Sequence, residues 1–349
     1  MPFSVFNCND SLTLESGTTL SGFHLGYTTF GTLNASGDNV IWIFHALTAN
    51  SDPTDWWPGL VGEGKLFDPA DYFIVCVNMP GSCYGSISPL DVKSGKSEIW
   101  YHDFPLFTPR DMIRCYQPLR RALGINKIKI GLGGSMGGQQ LLEWAIEEPA
   151  LFEYIIPIAT NAAHSPWGIA FNASQRLAIE MDSTWKEKDA AAGITGMKVA
   201  RGFALISYRH YTTYGKGQTE HDGALLDGFK SESYQRYQGE KLAKRFNAFS
   251  YYFLSKSMDS HNVARSRGSA AHALGSITAK TLSIAIETDI LFPPEEQKFI
   301  ADNIPGAQFT VIQSPYGHDG FLLEFDQLEP LIRNFAGMRP AENLTTNKN

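Results

Sequence analysis

The pattern that most constrains this chain is a series of short, unbroken apolar runs separated by helical periodicity. The runs fall at 22–30, 39–44, 72–77, 127–132, 154–158, 281–286 and 308–312. A strand with one face in water alternates apolar and polar residues, whereas an unbroken run is covered on both faces. Helical spacing appears at 110–123, 136–148, 294–303 and 321–335. Strand and helix in alternation predict an α/β fold, with a mostly parallel central sheet and helices on both faces. At 349 residues and 43% hydrophobic composition, the chain is long enough for one large domain of this kind with an insertion.

The alternation stops between 165 and 276. That stretch reads as helix after helix with no strand signal, and a strand pattern returns at Thr281. It predicts a helical lid inserted over the C-terminal edge of the sheet, where open α/β folds bind ligands. The core is then 1–164 together with 277–349. From Asn161 to Ser276 there are 15 Lys and Arg against 10 Asp and Glu, in a chain whose net charge is −7. A basic cap on an acidic body attracts a polyanionic substrate such as a phosphorylated acyl carrier; solvated helix faces carry the same charges without that role.

Within the run of small residues at 131–138, Gly133-Gly134-Ser135-Met136-Gly137 is a G-x-S-x-G between a strand pattern and a helix pattern. A strand, a sharp turn and a helix lift one serine hydroxyl above a sheet edge, and small neighbours leave room for the turn. Ser135 is the expected nucleophile. A serine nucleophile needs a base and the base needs an orienting acid, which follow the serine in the order acid, then base. Asp289 stands directly after the run at 281–286, and His318 directly after the run at 308–312. They are the expected acid and base. The later-lying His164, His210, His221, His261 and His272 fall near or within the insertion and read as lid residues. Two backbone amides must receive the oxyanion. Met136 follows the nucleophile, and Leu47 lies in the His45-Ala46-Leu47-Thr48 loop after the run at 39–44.

The net negative charge argues against general nucleic-acid binding, and no run approaches the roughly 18 apolar residues of a membrane span. The first residues show no basic segment followed by an apolar stretch, so no signal peptide is expected. Cys8, Cys76, Cys83 and Cys115 form no C-x-x-C and read as reduced thiols of a cytoplasmic protein. No metal-ligand spacing is present, so no metal is expected. The polar segment 339–349 reads as a frayed tail.

Further segments carry a resemblance. They include Trp56-Trp57, Arg110-Asp111-Met112, Glu143-Trp144-Ala145, Ala170-Phe171-Asn172, Ser207-Tyr208-Arg209, Leu291-Phe292-Pro293-Pro294 and Gly317-His318-Asp319. In this order and spacing, the chain resembles the homoserine O-acyltransferases of the α/β-hydrolase fold over nearly its whole length. The resemblance implies transfer of an acetyl or succinyl group from acyl-CoA to the hydroxyl of L-homoserine, the step that opens methionine biosynthesis. It implies a ping-pong sequence through an acyl-Ser135 intermediate and no permanently bound cofactor. It also implies that Arg201, Tyr208 and Asp319 hold homoserine, and that a homodimer forms through the lid helices. The chain departs from the family pattern at Gln139-Gln140-Leu141, 78–83 and 85–89, beside the nucleophile and the oxyanion loop. Three other readings stay open: a hydrolase that gives the acyl group to water, an O-acyltransferase acting on serine, and a non-catalytic binding protein of the same fold.

Overall fold

The computed structural model describes residues 3–93 and 95–338; the expected tail at 339–349 lies outside the described residues. Eight strands form the main sheet in the order β1 (Phe3–Cys8), β4 (Phe23–Phe30), β6 (Phe73–Val77), β5 (Val40–Phe44), β7 (Ile128–Gly134), β8 (Phe152–Ile158), β9 (Lys280–Ile286) and β10 (Gln308–Ile312). A small hairpin of β2 (Leu12–Thr13) and β3 (Thr19–Leu20) lies between β1 and β4 in the chain. From β6 to β10 every neighbouring pair is parallel, while β4 is antiparallel to both β1 and β6.

Strand β5 shows why the inner runs are unbroken. All five residues are buried, and they point alternately into two separate cores. Val40, Trp42 and Phe44 join one core; Ile41 and Ile43 join the other. The first core is covered by α2 (Pro109–Ala122) and α3 (Met136–Glu147), the second by α1 (Pro53–Trp56) and α11 (Phe325–Phe335). Trp42 meets Trp144 of α3 edge to face at 4.8 Å, an arrangement that favours aromatic pairs. Helix α2 starts where its sequence dictates. Thr108 caps it, Asp111 closes the reciprocal capping box, and Pro109 occupies the first turn.

Between β8 and β9 the chain forms α4 (Pro166–Glu180), α5 (Ile194–Tyr208), α6 (Tyr211–Gln218), α7 (Lys230–Ala243), α8 (Ala248–Asp259) and α9 (Ala270–Gly275). Helix α10 (Pro294–Asn303) then connects β9 to β10.

Two expectations need correction. The sequence pattern missed β1, β2 and β3. It also began the last helix at Phe321, whereas residues Gly317–Leu322 form a 3-10 turn and α11 starts at Phe325. The apolar Phe321-Leu322-Leu323 extends the helical periodicity backward, but that turn wraps against the sheet edge. Asp319 therefore sits inside the 3-10 turn.

Candidate active site

Ser135 stands between the last residue of β7 and the first of α3, with φ 58° and ψ −127°. A non-glycine residue at positive φ costs on the order of 1–3 kcal/mol, which the surroundings must offset. They do so by close packing. A Cβ on Gly137 would lie 2.1 Å from the Phe44 carbonyl oxygen, and one on Gly133 would lie 2.6 Å from the Gly137 carbonyl carbon. The Ser135 amide donates to the Ile158 carbonyl at 3.0 Å, and the Thr160 hydroxyl donates to the Ser135 carbonyl at 2.7 Å. The turn is thus tied to the end of β8 on both sides of the serine.

His318 and Asp289, from loops after different strands, meet directly. His318 Nδ1 lies 2.6 Å from Asp289 Oδ2, and both residues are buried. The other Asp289 oxygen accepts from the Leu291 and Phe292 amides at 2.8 and 2.9 Å. These bonds fix the carboxylate, which in turn fixes the imidazole with Nδ1 as donor and Nε2 left to exchange a proton. The imidazole stacks on Phe292 at 5.1 Å and meets Phe321 edge to face at 5.3 Å. The same Phe321 ring covers Gly134, where a Cβ would approach it to 2.4 Å. One phenyl ring therefore links His318 to the strand end that precedes Ser135.

The first turn of α3 packs against the loop after β5. A Cβ on Gly137 would also lie 3.1 Å from the His45 carbonyl oxygen. This places the loop holding Leu47 beside Met136, the first residue of α3, at the end of a helix where backbone amides lack intrahelical acceptors. The loop itself is braced by His45. Its Nδ1 donates to the Ala46 carbonyl at 2.8 Å, and its Nε2 accepts from the Met79 amide at 3.1 Å. Only a neutral imidazole does both. Burial pushes the His45 pKa down to about 4, in keeping with that form.

Arg201, Tyr208 and Asp319 gather around His318. The Tyr208 ring lies 5.7 Å from the His318 ring, and the Arg201 guanidinium lies 5.6 Å from the Tyr208 ring. Asp319 follows His318 in the chain, and its side chain is largely buried. Burial raises its pKa above the ordinary carboxylate value, while Arg209, His318 and Arg201 pull in the opposite direction.

Several neighbours have roles that the sequence did not reveal. Arg209 Nε lies 2.7 Å from Asp319 Oδ2, close enough for an ion pair but off the line of a hydrogen bond. Thr160 holds the Ser135 carbonyl. Gln140 accepts from the Tyr116 hydroxyl at 2.8 Å, and Gln139 donates to Asn161 at 3.0 Å. The unusual Gln139-Gln140 pair thus faces buried partners. Arg209 stands beside Tyr208, and that adjacency was the only signal available for it. His164 and His261 are buried, His221 and His272 are exposed, and His210 lies between. Among the described residues no group of His, Cys, Asp and Glu is arranged to hold a metal. No helix among them is long and apolar enough to cross a membrane.

A family model described as the alpha/beta hydrolase fold matches residues 39–325. The homoserine O-acetyltransferase of Cyclobacterium marinum is 48% identical over 335 residues, covering 96% of this chain and 95% of that protein. That of Salinibacter ruber is 40% identical, with coverage of 92% and 94%. Among solved structures, a homoserine O-acetyltransferase from Bacillus anthracis superposes with a TM-score of 0.88, covering 97% of this chain and 98% of the other at 23% identity. That last likeness supports the fold, and the sequence relatives supply the family. The chain belongs to the homoserine O-acetyltransferases, built on the α/β-hydrolase fold.

Proposed function

We propose that this protein transfers an acetyl group from acetyl-CoA to the hydroxyl of L-homoserine through an acyl-Ser135 intermediate. In the first half-reaction the Ser135 oxygen bonds to the thioester carbonyl carbon while His318 takes its proton. The Leu47 and Met136 amides receive the oxyanion. The carbon–sulfur bond then breaks, and His318 returns the proton to the departing thiolate. In the second half-reaction His318 takes the proton of the homoserine hydroxyl, whose oxygen attacks the acyl carbon and releases Ser135. Asp289 orients the imidazole and stabilises the imidazolium formed in each half.

The observation that carries this reading is the set of charges beside the base. Homoserine is a zwitterion, and Arg201 offers a fork for its carboxylate while Asp319 offers an anion for its ammonium. An acyl-enzyme that used water would need neither. Residues 165–276 are proposed as the lid that closes over this site. They contribute Arg201 and Tyr208, and their Arg176, Lys198, Arg236, Arg265 and Arg267 are already ion-paired within the molecule. Those pairings leave fewer lid cations for an incoming polyanion. Exposed Val199, Phe203 and Ile206 form a stripe on α5 at helical spacing, and Leu177 of α4 and Met181 just after it are exposed as well. Such a stripe supports a homodimer through these helices. Free cysteines and a coenzyme A donor agree with a cytoplasmic setting.

The test is release of free thiol from acetyl-CoA, measured with and without acceptor. Sustained release is expected only with L-homoserine. Equal release without acceptor would establish a hydrolase, and a preference for L-serine would move the acceptor to that amino acid.

A further inference from the structure

The end of α5 is clamped onto the loop that carries the base. A Cβ on Gly317 would lie 2.9 Å from both the Tyr208 carbonyl oxygen and the His210 amide nitrogen, so this glycine admits the helix end at van der Waals distance. The Thr213 hydroxyl bonds to the Pro315 carbonyl. Beside these two contacts, the Arg209 side chain reaches the Asp319 carboxylate at 2.7 Å. Arg209 Nε is buried and lacks an aligned hydrogen-bond acceptor among the described residues, so its hold on Asp319 is that of a charge and not of a directed bond.

Four charged or titratable groups face Asp319 from the elements around it: Arg209 and Arg201 of the α5 segment, His318 of its own turn, and Asp289 after β9. Tyr208 lines the same space with a pKa raised chiefly by burial, so it stays an uncharged phenol. We propose that Arg209 is a positioning residue for the acceptor: it keeps the buried Asp319 carboxylate charged and fixed for the acceptor's ammonium. This inference rests on Asp319 receiving that ammonium. Arg209 occupies the Oδ2 side, and a carboxylate has lone pairs for a second donor on its other oxygen. Burial already raises the Asp319 pKa with Arg209 in place; losing the largest opposing charge raises it further, so the carboxyl takes up a proton at higher pH. A neutral acid no longer neutralises an ammonium. The acyl donor carries no ammonium at the reacting end, so the first half-reaction does not depend on Arg209.

The experiment compares the wild type with Arg209→Met, Arg209→Lys, Asp319→Asn and the Arg209→Met/Asp319→Asn pair. The acylation burst from acetyl-CoA and the homoserine KM are measured from pH 6 to 8.5. For Arg209→Met we expect a burst within about 2-fold of wild type and a homoserine KM raised about 10-fold or more. That excess is expected to grow as pH falls and Asp319 protonates. Arg209→Lys keeps the charge and is expected to recover most of the loss. In the Asp319→Asn background, removing Arg209 should add less than about 2-fold. A burst that falls as much as acceptor use, or a KM penalty independent of pH, would overturn the proposal and leave Arg209 a brace of the fold. An unchanged homoserine KM in Asp319→Asn alone would instead overturn the reading of Asp319 itself.

Discussion

Gly137 occupies a position where one methyl group has nowhere to go. Its Cβ would lie 2.1 Å from backbone oxygen, and backbone cannot swing aside as a flexible side chain does. Gly137→Ala is therefore expected to push the first turn of α3 away from β5. We expect a loss of about 2 kcal/mol or more in urea-induced unfolding, of the size seen when close packing is forced apart. The acylation burst should fall with it, because the same shift moves the Met136 amide from the loop that holds Leu47. An alanine variant with an unchanged burst would show that the elbow tolerates movement. At this scale chain order made two placements legible: Ser135 stands in the turn between β7 and α3, and Asp289 and His318, each after its strand, meet at 2.6 Å. The pair between Arg209 and Asp319 was not legible, because it joins residues about 110 positions apart with no periodicity to announce it.

Among the elements, the apolar runs covered on both faces were the readable ones, since the lack of alternation is itself the signal. Strand β1 was not, because it lies at the sheet edge with exposed and half-exposed positions in turn and contains Ser4 and Asn7. The bracing of α2 and α3 was also hidden. Arg110 of α2 reaches Glu143 of α3 at 3.0 Å and Glu15 before β3 at 2.7 Å. Arg267, just before α9, reaches Glu143 at 2.7 Å and Glu147 at 2.9 Å. The cluster ties the N-terminal hairpin, two core helices and the end of the helical insertion together. Glu143 is the buried anion at its centre, only 2% exposed. Such a cluster adds little over an apolar core, but breaking it strands charge. Glu143→Ala leaves two guanidinium groups with a lost partner and is expected to cost about 3–5 kcal/mol. The denaturant midpoint checks this, and a loss under about 1 kcal/mol would show that water reaches the cluster.

Across the whole molecule, buried histidines set the response to acid. Burial lowers the pKa of His45 to about 4 and of His164 and His261 to about 3, against an ordinary value of 6.5. Below 6.5 the unfolded chain binds protons that the folded chain refuses, so stability falls as pH drops. Each histidine contributes up to about 1.4 kcal/mol per pH unit. Glu296, raised by burial to about 7, acts in the opposite sense between its ordinary 4.5 and 7 and offsets about one histidine. Because an unfolded imidazole is only half protonated at pH 6.5, each histidine contributes about 1 kcal/mol over the next unit, and the expected net loss is about 2 kcal/mol from pH 6.5 to 5.5. Thermal melts across that interval check it, and a flat midpoint would mean that these imidazoles take up protons in the folded state. The layout of the sheet has a consequence in time. Strand β8 ends at Ile158, and its partner β9 begins at Lys280. A ribosome adding 5–20 residues per second needs on the order of ten seconds to cover that interval. For that period the β9 side of β8 has no neighbour, and Ser135 is made before Asp289 and His318. The nascent chain thus carries an open sheet edge, and chaperones that shield strand edges should matter most to this protein in that interval.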